Sequence, residues 1–445
     1  MQDQATDFHG VQIGEPQVAQ VAAPVRRAER ITAIDSLRGF ALLGILLMNI
    51  IAMGLYGPSY DNPTVTGGAT GPDLWVWIAM HVLAEGKMRC LFSMVFGAST
   101  VLLLTRLDGR KDGADIYFRR TFWLMGFGIL HAYLLWEGEI LYPYALCGLL
   151  LYPFRNWAPG RLIRLGTILV AITAGFYVHE TFDRREMIEK GKAAMQAATQ
   201  GKKLTEEQEG DKKAYEGFLK RIRPTPEQLK KVNDRWRGNP WEVVKVRAED
   251  VYPGHATPYY HYWNLDMWSM MFIGMGLLKS GVLSGKRSSS FYGMGALIGY
   301  GIGIPLNSTT AWLIVGSGFD PIVRGWTGTV YDIGRLSVAL AHACVIYWLC
   351  ANGRLKWLTD ALGAVGQTAL SNYVLQSVVT AFLFTGYGFK LFGRLHRHEL
   401  YYVVAALWVV HLVVSPIWVR NFQFGPVEWC WRSLTYWKKQ PMRIA

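Results

Sequence analysis

One stretch of the chain places ionisable residues on a single face of an apolar segment. Arg120, Leu124, Phe127 and His131 recur at intervals of four, three and four residues, so a helix over Tyr117–Trp136 carries them on one side. The rise per residue separates Arg120 from His131 by about 16 Å along the helix axis. This face therefore presents a fixed cation at one end and a titratable imidazole near the other.

Two carboxylates, Glu137 and Glu139, follow the histidine in the next turn of the chain. A carboxylate near an imidazole can fix its tautomer, and the two groups can then act as a general acid–base pair. We therefore name His131, Glu137 and Glu139 as candidate catalytic residues. The alternative is a histidine bonded to a neighbouring helix beside solvated turn carboxylates. Their spacing matches no recognised metal-ligand pattern, so we predict no metal site.

The composition indicates a membrane protein. Hydrophobic residues make up 51% of the 445 residues and charged residues only 18%, whereas soluble domains carry roughly a quarter. The net charge of +13 would suggest nucleic acid in a soluble protein. Here the basic residues flank apolar runs, so the positive-inside rule explains them and no nucleic-acid partner is predicted.

Eleven apolar segments are candidates for crossing the bilayer, for which a helix needs about 20 apolar residues. If the short Leu74–Leu83 is re-entrant or interfacial, about ten segments span, and if it spans, about eleven. We predict an all-α integral membrane protein, a polytopic bundle of about ten transmembrane helices. The segments are Leu37–Tyr56, Leu74–Leu83, Met88–Leu104, Tyr117–Trp136, Ile140–Phe154, Leu162–Val178, Tyr262–Leu283, Phe291–Leu306, Ile333–Cys350, Ala364–Phe384 and Tyr401–Val419.

The basic connections between these segments predict their orientation. With ten spans they fall on one side, which the positive-inside rule makes cytoplasmic, together with both termini. One connection departs from the rule, because Gly393–His398 would carry Arg394 and Arg397 to the outside. The basic stretches are Arg106–Arg120, Arg155–Arg164, Lys279–Arg287, Gly353–Lys356 and Trp437–Arg443.

Residues 180–257, which we call the insertion, are dense in Glu, Lys, Arg and Asp. Their composition predicts a charged helical segment, and Thr225 as N-cap before Pro226 predicts the start of one of its helices. On the ten-span topology the insertion is extracytoplasmic. It is expected to be a solvated helical hairpin covering the bundle; the alternative is a lid or partner-docking element over an extracytoplasmic site.

The chain is accordingly expected to have five parts, with the two transmembrane halves on either side of the insertion. The first part is a polar, basic, disordered cytoplasmic leader, and the last is a cytoplasmic interfacial tail. The parts are residues 1–33, 34–179, 180–257, 258–420 and 421–445.

Five sequence blocks resemble the YeiB-like family of bacterial inner-membrane proteins, and they occur in the same order as in that family. Together they cover nearly the whole chain outside the leader and the insertion. The family is largely a domain of unknown function, and its N-terminus is similar to a wider group of transmembrane acyltransferases. The blocks are Asp35–Ile45, Leu91–Gly97, His131–Leu141, Asn372–Ser377 and Gly425–Arg432.

The resemblance implies an acyltransferase-like bundle in the bacterial inner membrane. Enzymes of the wider group take acyl groups from the cytoplasmic side and deliver them to a glycan or lipid on the other side. Their polysaccharide-acylating branch carries a histidine in the first helix, where this chain has Asn49. His131 is then the natural replacement as catalytic base, because it lies inside a family block.

A donor such as acyl-CoA, bound as a substrate and not as a covalent cofactor, would meet the arginines at the cytoplasmic face, which suit phosphate groups. Positive-inside anchoring is the alternative role for these arginines. Arg89 would meet an anionic acceptor, and Asn372 or Gln376 would hydrogen-bond the acyl carbonyl. The candidate substrate-binding residues are Asp35, Arg38, Asn49, Arg89, Arg120, Tyr142, Asn372 and Gln376.

The leading hypothesis is a membrane-bound acyltransferase that moves an acyl group from a cytoplasmic donor to an envelope glycan, lipid or small molecule. A transporter of a small metabolite or lipid is the alternative, since intramembrane Asp, Arg and His residues also suit a proton-coupled pathway. A non-catalytic envelope scaffold is the third hypothesis. The expected partners are the bilayer, the donor and the acceptor, and the sequence is compatible with an oligomer.

Overall fold

A computed structural model describes the backbone of residues 32–256 and 260–444 and the side chains of residues 32–255 and 264–444. The predicted leader, residues 1–33, lies outside the described residues except for its last two. Within the described part the chain folds into α-helices joined by short turns and 3₁₀ segments, and its β-structure is one isolated bridge between Phe422 and Arg443. The all-α fold class is therefore confirmed.

The helices follow the apolar segments of the sequence, except that the segment predicted as Ala364–Phe384 is divided between two helices at Thr368. The insertion adds further, polar helices. In chain order they are α1 (Thr32–Gly54), α2 (Gly71–Leu83), α3 (Lys87–Leu107), α4 (Gly113–Leu134), α5 (Leu141–Leu151), α6 (Pro159–Thr199), α7 (Glu206–Ile222), α8 (Pro226–Trp236), α9 (Pro240–Ala256), α10 (Tyr260–Lys279), α11 (Ser289–Gly316), α12 (Pro321–Thr327), α13 (Tyr331–Ala351), α14 (Lys356–Gln367), α15 (Ala369–Phe384), α16 (Leu400–Asn421) and α17 (Pro426–Tyr436). Short 3₁₀ segments lie at Gly57–Tyr60, Pro63–Thr66, Tyr152–Asn156 and Gly328–Val330.

Five helical stretches of the described residues are long and apolar enough to cross a membrane. They support the membrane-protein class, because about 20 consecutive apolar residues are the length that a helix needs to cross the hydrocarbon core. The number of crossings stays a prediction, since α4, α5, α10, α11, α14 and α15 do not meet the same length and hydropathy criteria. The five stretches are Thr32–Gly54, Gly71–Leu107, Pro159–Thr199, Pro321–Ala351 and Leu400–Asn421.

Helix α1 lies at the centre of the bundle and packs against α3, α14, α15 and α16. It approaches α14 so closely that a Cβ atom at Gly39 would overlap the carbonyl oxygen of Leu362. Its own carbonyl oxygens at Leu43 and Leu47 accept hydrogen bonds from α16, donated by the Trp408 indole at 3.0 Å and the Tyr401 hydroxyl at 2.9 Å. Such close, polar-assisted contacts are typical of helix packing in membranes.

The insertion begins as a direct continuation of α6, whose 41 residues make it about 60 Å long. Its surface carries ion pairs four residues apart, such as Arg185 with Glu189 at 2.8 Å, as expected for a solvated helix. Thr225 caps α8 by accepting a hydrogen bond from the backbone N–H of Gln228. The predicted start of that helix is therefore confirmed.

The connection between α15 and α16 gives Arg397, one of the two arginines that depart from the predicted charge pattern, a structural role, whereas Arg394 is exposed. The Arg397 side chain is buried and donates a hydrogen bond to the carbonyl oxygen of Ser59, in the turn after α1. The backbone N–H of Gly393 donates to the carbonyl of Gly54 at 2.7 Å. Arg397 thus links this connection to the turn after α1. It is not a solvated loop charge, which is the kind that the positive-inside rule counts.

Candidate functional site

His131 lies in the last turns of α4, is only 3% exposed and faces α15. Its Nε2 lies 2.8 Å from the Ser377 hydroxyl oxygen, and its ring stacks on Tyr373 with centroids 5.0 Å apart. The Ser377 hydroxyl also lies 3.3 Å from the Tyr373 carbonyl. The Ser377 hydroxyl can donate to the Tyr373 carbonyl or to the imidazole, and Nε2 of His131 donates or accepts according to its tautomer. When Nε2 carries no proton, the arrangement is one of a base within reach of a hydroxyl.

His131 differs from another histidine–hydroxyl pair in the bundle. His342 accepts from the Tyr300 hydroxyl at Nδ1 over 2.7 Å and donates to the Leu83 carbonyl from Nε2 over 2.9 Å, so both its nitrogens are satisfied. In the described part of the chain, Nδ1 of His131 is buried and has no hydrogen-bond partner. An unsatisfied buried nitrogen is costly, and such a group indicates a place for a ligand or a water molecule.

The carboxylate of Glu139 is buried and caps the start of α5. It accepts hydrogen bonds from the backbone N–H groups of Leu141 at 2.5 Å and Tyr142 at 3.1 Å, as an acidic group at a helix N-terminus does. Burial raises its pKa to about 8. No hydrogen bond to His131 is formed among the described residues, and its predicted role in orienting the imidazole stays a prediction.

Glu137 faces the insertion. Its Oε2 lies 3.6 Å from Nε of Arg247 in α9. Burial raises the pKa of Glu137 to about 7, although the Arg247 guanidinium opposes the shift. A carboxyl group with such a pKa can exchange a proton near neutral pH. The side chain of Tyr142 also meets the insertion, because its ring stacks on His255 with centroids 4.4 Å apart.

Asn372 and Gln376 lie one turn apart on α15 but differ in their hydrogen bonds. The Asn372 amide donates hydrogen bonds at 3.0 Å to the hydroxyl of Thr368, which lies between α14 and α15, and to the hydroxyl of Ser415 in α16. Gln376 is 2% exposed, and its Nε2 has no hydrogen-bond partner among the described residues. Of these two amides, that of Gln376 is therefore the one whose donors are not already used by the described residues, and the carbonyl-binding role of either side chain stays a prediction.

The residues proposed to bind the donor lie at the N-terminal ends of α1 and α4. Arg38 binds Asp35 Oδ1 at 2.6 Å and the Ser99 hydroxyl at 2.9 Å. Arg120 lies 4.3 Å above the Trp431 ring, and the Trp431 indole donates to its backbone carbonyl at 2.8 Å. The tail helix α17 therefore holds Arg120 in place, which suits an anchoring role as well as a binding one. Asn49 is half-buried in α1.

Arg89 belongs to a buried ionic network between α3, α10 and α13. It lies 3.5 Å from Asp266, which also binds both terminal nitrogens of Arg335. Arg335 is 1% exposed and lies 2.6 Å from Asp332. Arg89 thus lies beside a carboxylate of its own chain, and its predicted contact with an anionic acceptor stays a prediction.

Lys87 is a further buried cation and lies two residues before Arg89 at the start of α3. Its ammonium group donates to the Asn307 side chain at 2.9 Å and to the His81 carbonyl at 2.6 Å, and it is fully buried. On α3, one turn beyond Arg89, Ser93 shares a 2.6 Å hydrogen bond with the Tyr144 hydroxyl. Among the described residues, no group of three or more His, Cys, Asp or Glu side chains could hold a metal ion.

Sequence reasoning missed the partners of His131 and the residues that contact its turn. Ser377 and Tyr373 lie inside a recognised family block, but neither was named as a site residue. Arg247 carries no sequence signal, because it is one of many basic residues in the insertion. Only the fold brings it to Glu137.

Residues 277–438 match the model of a protein family described as "Protein of unknown function (DUF418)". The chain is 30% identical over 421 residues to the uncharacterised protein YeiB of Escherichia coli strain K12, covering 92% of this chain and 96% of the relative. It is 27% identical over 438 residues to the uncharacterised protein YxaH of Bacillus subtilis strain 168, covering 94% and 97%. No solved structure matches significantly. At this identity and coverage, the chain belongs to the YeiB-like family of membrane proteins.

Proposed function

We propose that the protein is a membrane-bound acyltransferase in which His131 is the general base. The observation that supports this proposal is the buried pair of His131 Nε2 and the Ser377 hydroxyl, 2.8 Å apart. As an acceptor hydroxyl or amine attacks the acyl carbonyl, such a base takes its proton. The bond between the acceptor and the acyl carbon forms, the bond between the acyl carbon and the donor breaks, and the proton passes to the departing group, a thiolate if the donor is a thioester. The unsatisfied amide of Gln376 is the donor proposed for that carbonyl.

The proposed path follows α4. Arg120 lies near the start of this helix and His131 near its end, so a donor anchored by phosphate groups at the Arg38 and Arg120 end would extend about 16 Å along the helix to reach the base. An acyl-CoA thioester on an extended arm has this shape and charge. The acceptor class proposed is an envelope glycan, lipid or small molecule with a free hydroxyl or amine.

The proposed topology has ten crossings in the bacterial inner membrane and both termini in the cytoplasm. Its support is the basic character of the connections at one end of the bundle and the bacterial origin of the relatives. The insertion then lies on the opposite, extracytoplasmic side. The end of α4 that carries His131 would face the extracytoplasmic side, so acyl transfer would be completed close to the outer surface.

Replacing His131 by alanine or glutamine is expected to lower acyl transfer by about 10²–10⁴-fold, the usual contribution of a general base. The measurement is incorporation of label from radiolabelled acetyl-CoA into the lipid and glycan fractions of membrane vesicles that contain the full chain. His179→Gln is the matched control, because that imidazole is exposed on the insertion helix α6. Full transfer by His131→Gln would exclude the role proposed for this histidine.

A proton-coupled transporter is the second candidate, and the ionic network of Arg89, Asp266, Arg335 and Asp332 favours it. Buried charges in membrane helices are costly and often mark ion pathways. Proteoliposomes separate the two functions. Uptake of protons with a small solute, without a labelled acyl product, would favour transport, whereas a labelled product without uptake would favour the enzyme.

A further inference from the structure

Arg247 is a buried guanidinium contributed by an otherwise solvated segment. It lies on α9 of the insertion and is 1% exposed. Arg235, by contrast, is only half-buried and pairs with Glu242 and Glu249 within the insertion. Removing a cation from water costs several kcal/mol, so the contacts of Arg247 must recover that cost.

Those contacts lie at the end of the helix that carries His131. Nη1 of Arg247 donates to the carbonyl oxygen of Leu134 at 2.9 Å, and the Tyr387 hydroxyl donates to the same oxygen at 2.8 Å. Leu134 is the last residue of α4, where carbonyl groups lack partners within the helix. A cation at this end also interacts favourably with the helix dipole.

His131 lies three residues before that carbonyl, in the same turn. Its own carbonyl oxygen accepts the backbone N–H groups of Leu135 and Trp136, both at 2.9 Å. Two backbone hydrogen bonds to the His131 carbonyl thus stabilise the turn that presents the imidazole to Ser377. The side chains of Arg247 and Tyr387 stabilise the same turn through their hydrogen bonds to the Leu134 carbonyl. If Leu134 shifts, the backbone of His131 shifts with it.

The insertion fixes Arg247 in turn. The guanidinium lies 5.6 Å from the Trp236 ring and 5.1 Å from the Tyr387 ring, in the range of cation–π attraction. Trp236 stacks on Phe392, and its carbonyl accepts the backbone N–H of Gly386 at 2.9 Å. The insertion is therefore anchored on the connection between α15 and α16. This anchoring fixes the position from which the Arg247 side chain contacts α4.

We propose that Arg247 is a positioning residue through which the insertion fixes the last turn of α4 and, with it, the His131 imidazole. The inference rests on the catalytic role proposed for His131, and it assigns the insertion to the site itself and not to the docking of a partner protein. Arginine suits this position because its planar guanidinium can interact with two rings while one nitrogen donates to the carbonyl. Lysine would keep the charge but not this geometry.

The experiment is hydrogen–deuterium exchange of the detergent-solubilised full chain, together with the rate at which diethyl pyrocarbonate modifies His131. In Arg247→Ala, exchange over residues 131–137 and modification of His131 are each expected to rise about tenfold. Arg247→Lys should give an intermediate rise. Arg235→Ala, a matched change on the same insertion, should leave both measurements unchanged.

Unchanged exchange over residues 131–137 in Arg247→Ala would overturn the inference. If that variant unfolds as a whole, Arg247→Lys decides: a rise confined to residues 131–137 supports the inference, and a rise shared equally by α1, or none, overturns it. These measurements need no turnover. Retained transfer by His131→Gln would therefore reject the proposed function alone, and unchanged exchange would reject the positioning role alone.

Discussion

Alanine at Gly274 is expected to reduce the yield of folded protein more than most single substitutions. A Cβ atom at this position would overlap the carbonyl oxygen of Met94, and a Cβ atom at Gly97 would overlap the carbonyl oxygen of Met271. Helices α3 and α10 therefore touch backbone to backbone at their crossing, as small residues permit in membranes. Because a backbone atom cannot rotate away as a side chain can, the helices must separate, at a cost of about 3 kcal/mol or more.

The matched control for Gly274→Ala is Gly126→Ala. Gly126 also lies inside an apolar helix, but no heavy atom comes within 4 Å of the position that its Cβ would take. Its effect on the free energy of unfolding should stay within about 0.5 kcal/mol. Monodisperse yield by size-exclusion chromatography and thermal unfolding in detergent measure both variants. Equal melting of Gly274→Ala and the parent chain would contradict the close crossing.

Asp266→Ala is expected to destabilise the protein by about 3–5 kcal/mol, the cost of leaving a buried charge without its partner. Asp266 bridges Arg89 and Arg335, and Arg335 is almost wholly buried. Removal of the Asp266 carboxylate leaves two cations, Arg89 and Arg335, with one remaining carboxylate, Asp332. The measurement is again thermal unfolding of the purified full chain. Asp360→Ala is the control, because its pair with Lys356 is exposed and should contribute less than about 1 kcal/mol.

A double variant tests the physical reason for this effect. Arg335→Leu in the Asp266→Ala background removes the uncompensated cation as well, and a buried ion pair replaced by apolar groups is often close to neutral. The double variant should therefore recover part of the stability that Asp266→Ala loses. If it is less stable than Asp266→Ala by the full effect of Arg335→Leu alone, the two side chains do not interact energetically.

The proposals for His131, Arg247 and the ionic network are tested by different measurements. Acyl transfer tests the imidazole, hydrogen exchange tests the positioning of its helix, and thermal unfolding tests the network. Uptake by proteoliposomes then decides whether the network also carries protons. Each measurement can fail without the others, although the importance of the Arg247 contact for catalysis depends on the role proposed for His131.

The sequence by itself determined the class of the molecule. Length and apolarity are properties of a continuous segment, so an uninterrupted apolar run such as Leu37–Tyr56 predicts its helix, observed as Thr32–Gly54, without knowledge of any neighbour. The start of α8 at Thr225 was equally predictable, because an N-cap satisfies backbone groups two or three residues away. The family was also predictable from the sequence, because its characteristic blocks are short runs of adjacent residues.

The tertiary structure alone decided which polar groups meet. Ser377 is 246 residues from His131 in sequence, and Arg247 is 113 residues from Leu134. Such pairs depend on how helices pack, which no local pattern encodes. Glu139 shows the same limit: the sequence placed its carboxylate near His131, but only the fold shows that its oxygens cap α5. Buried polar groups bond to the nearest unsatisfied partner in space, and that partner is set by the packing of the bundle.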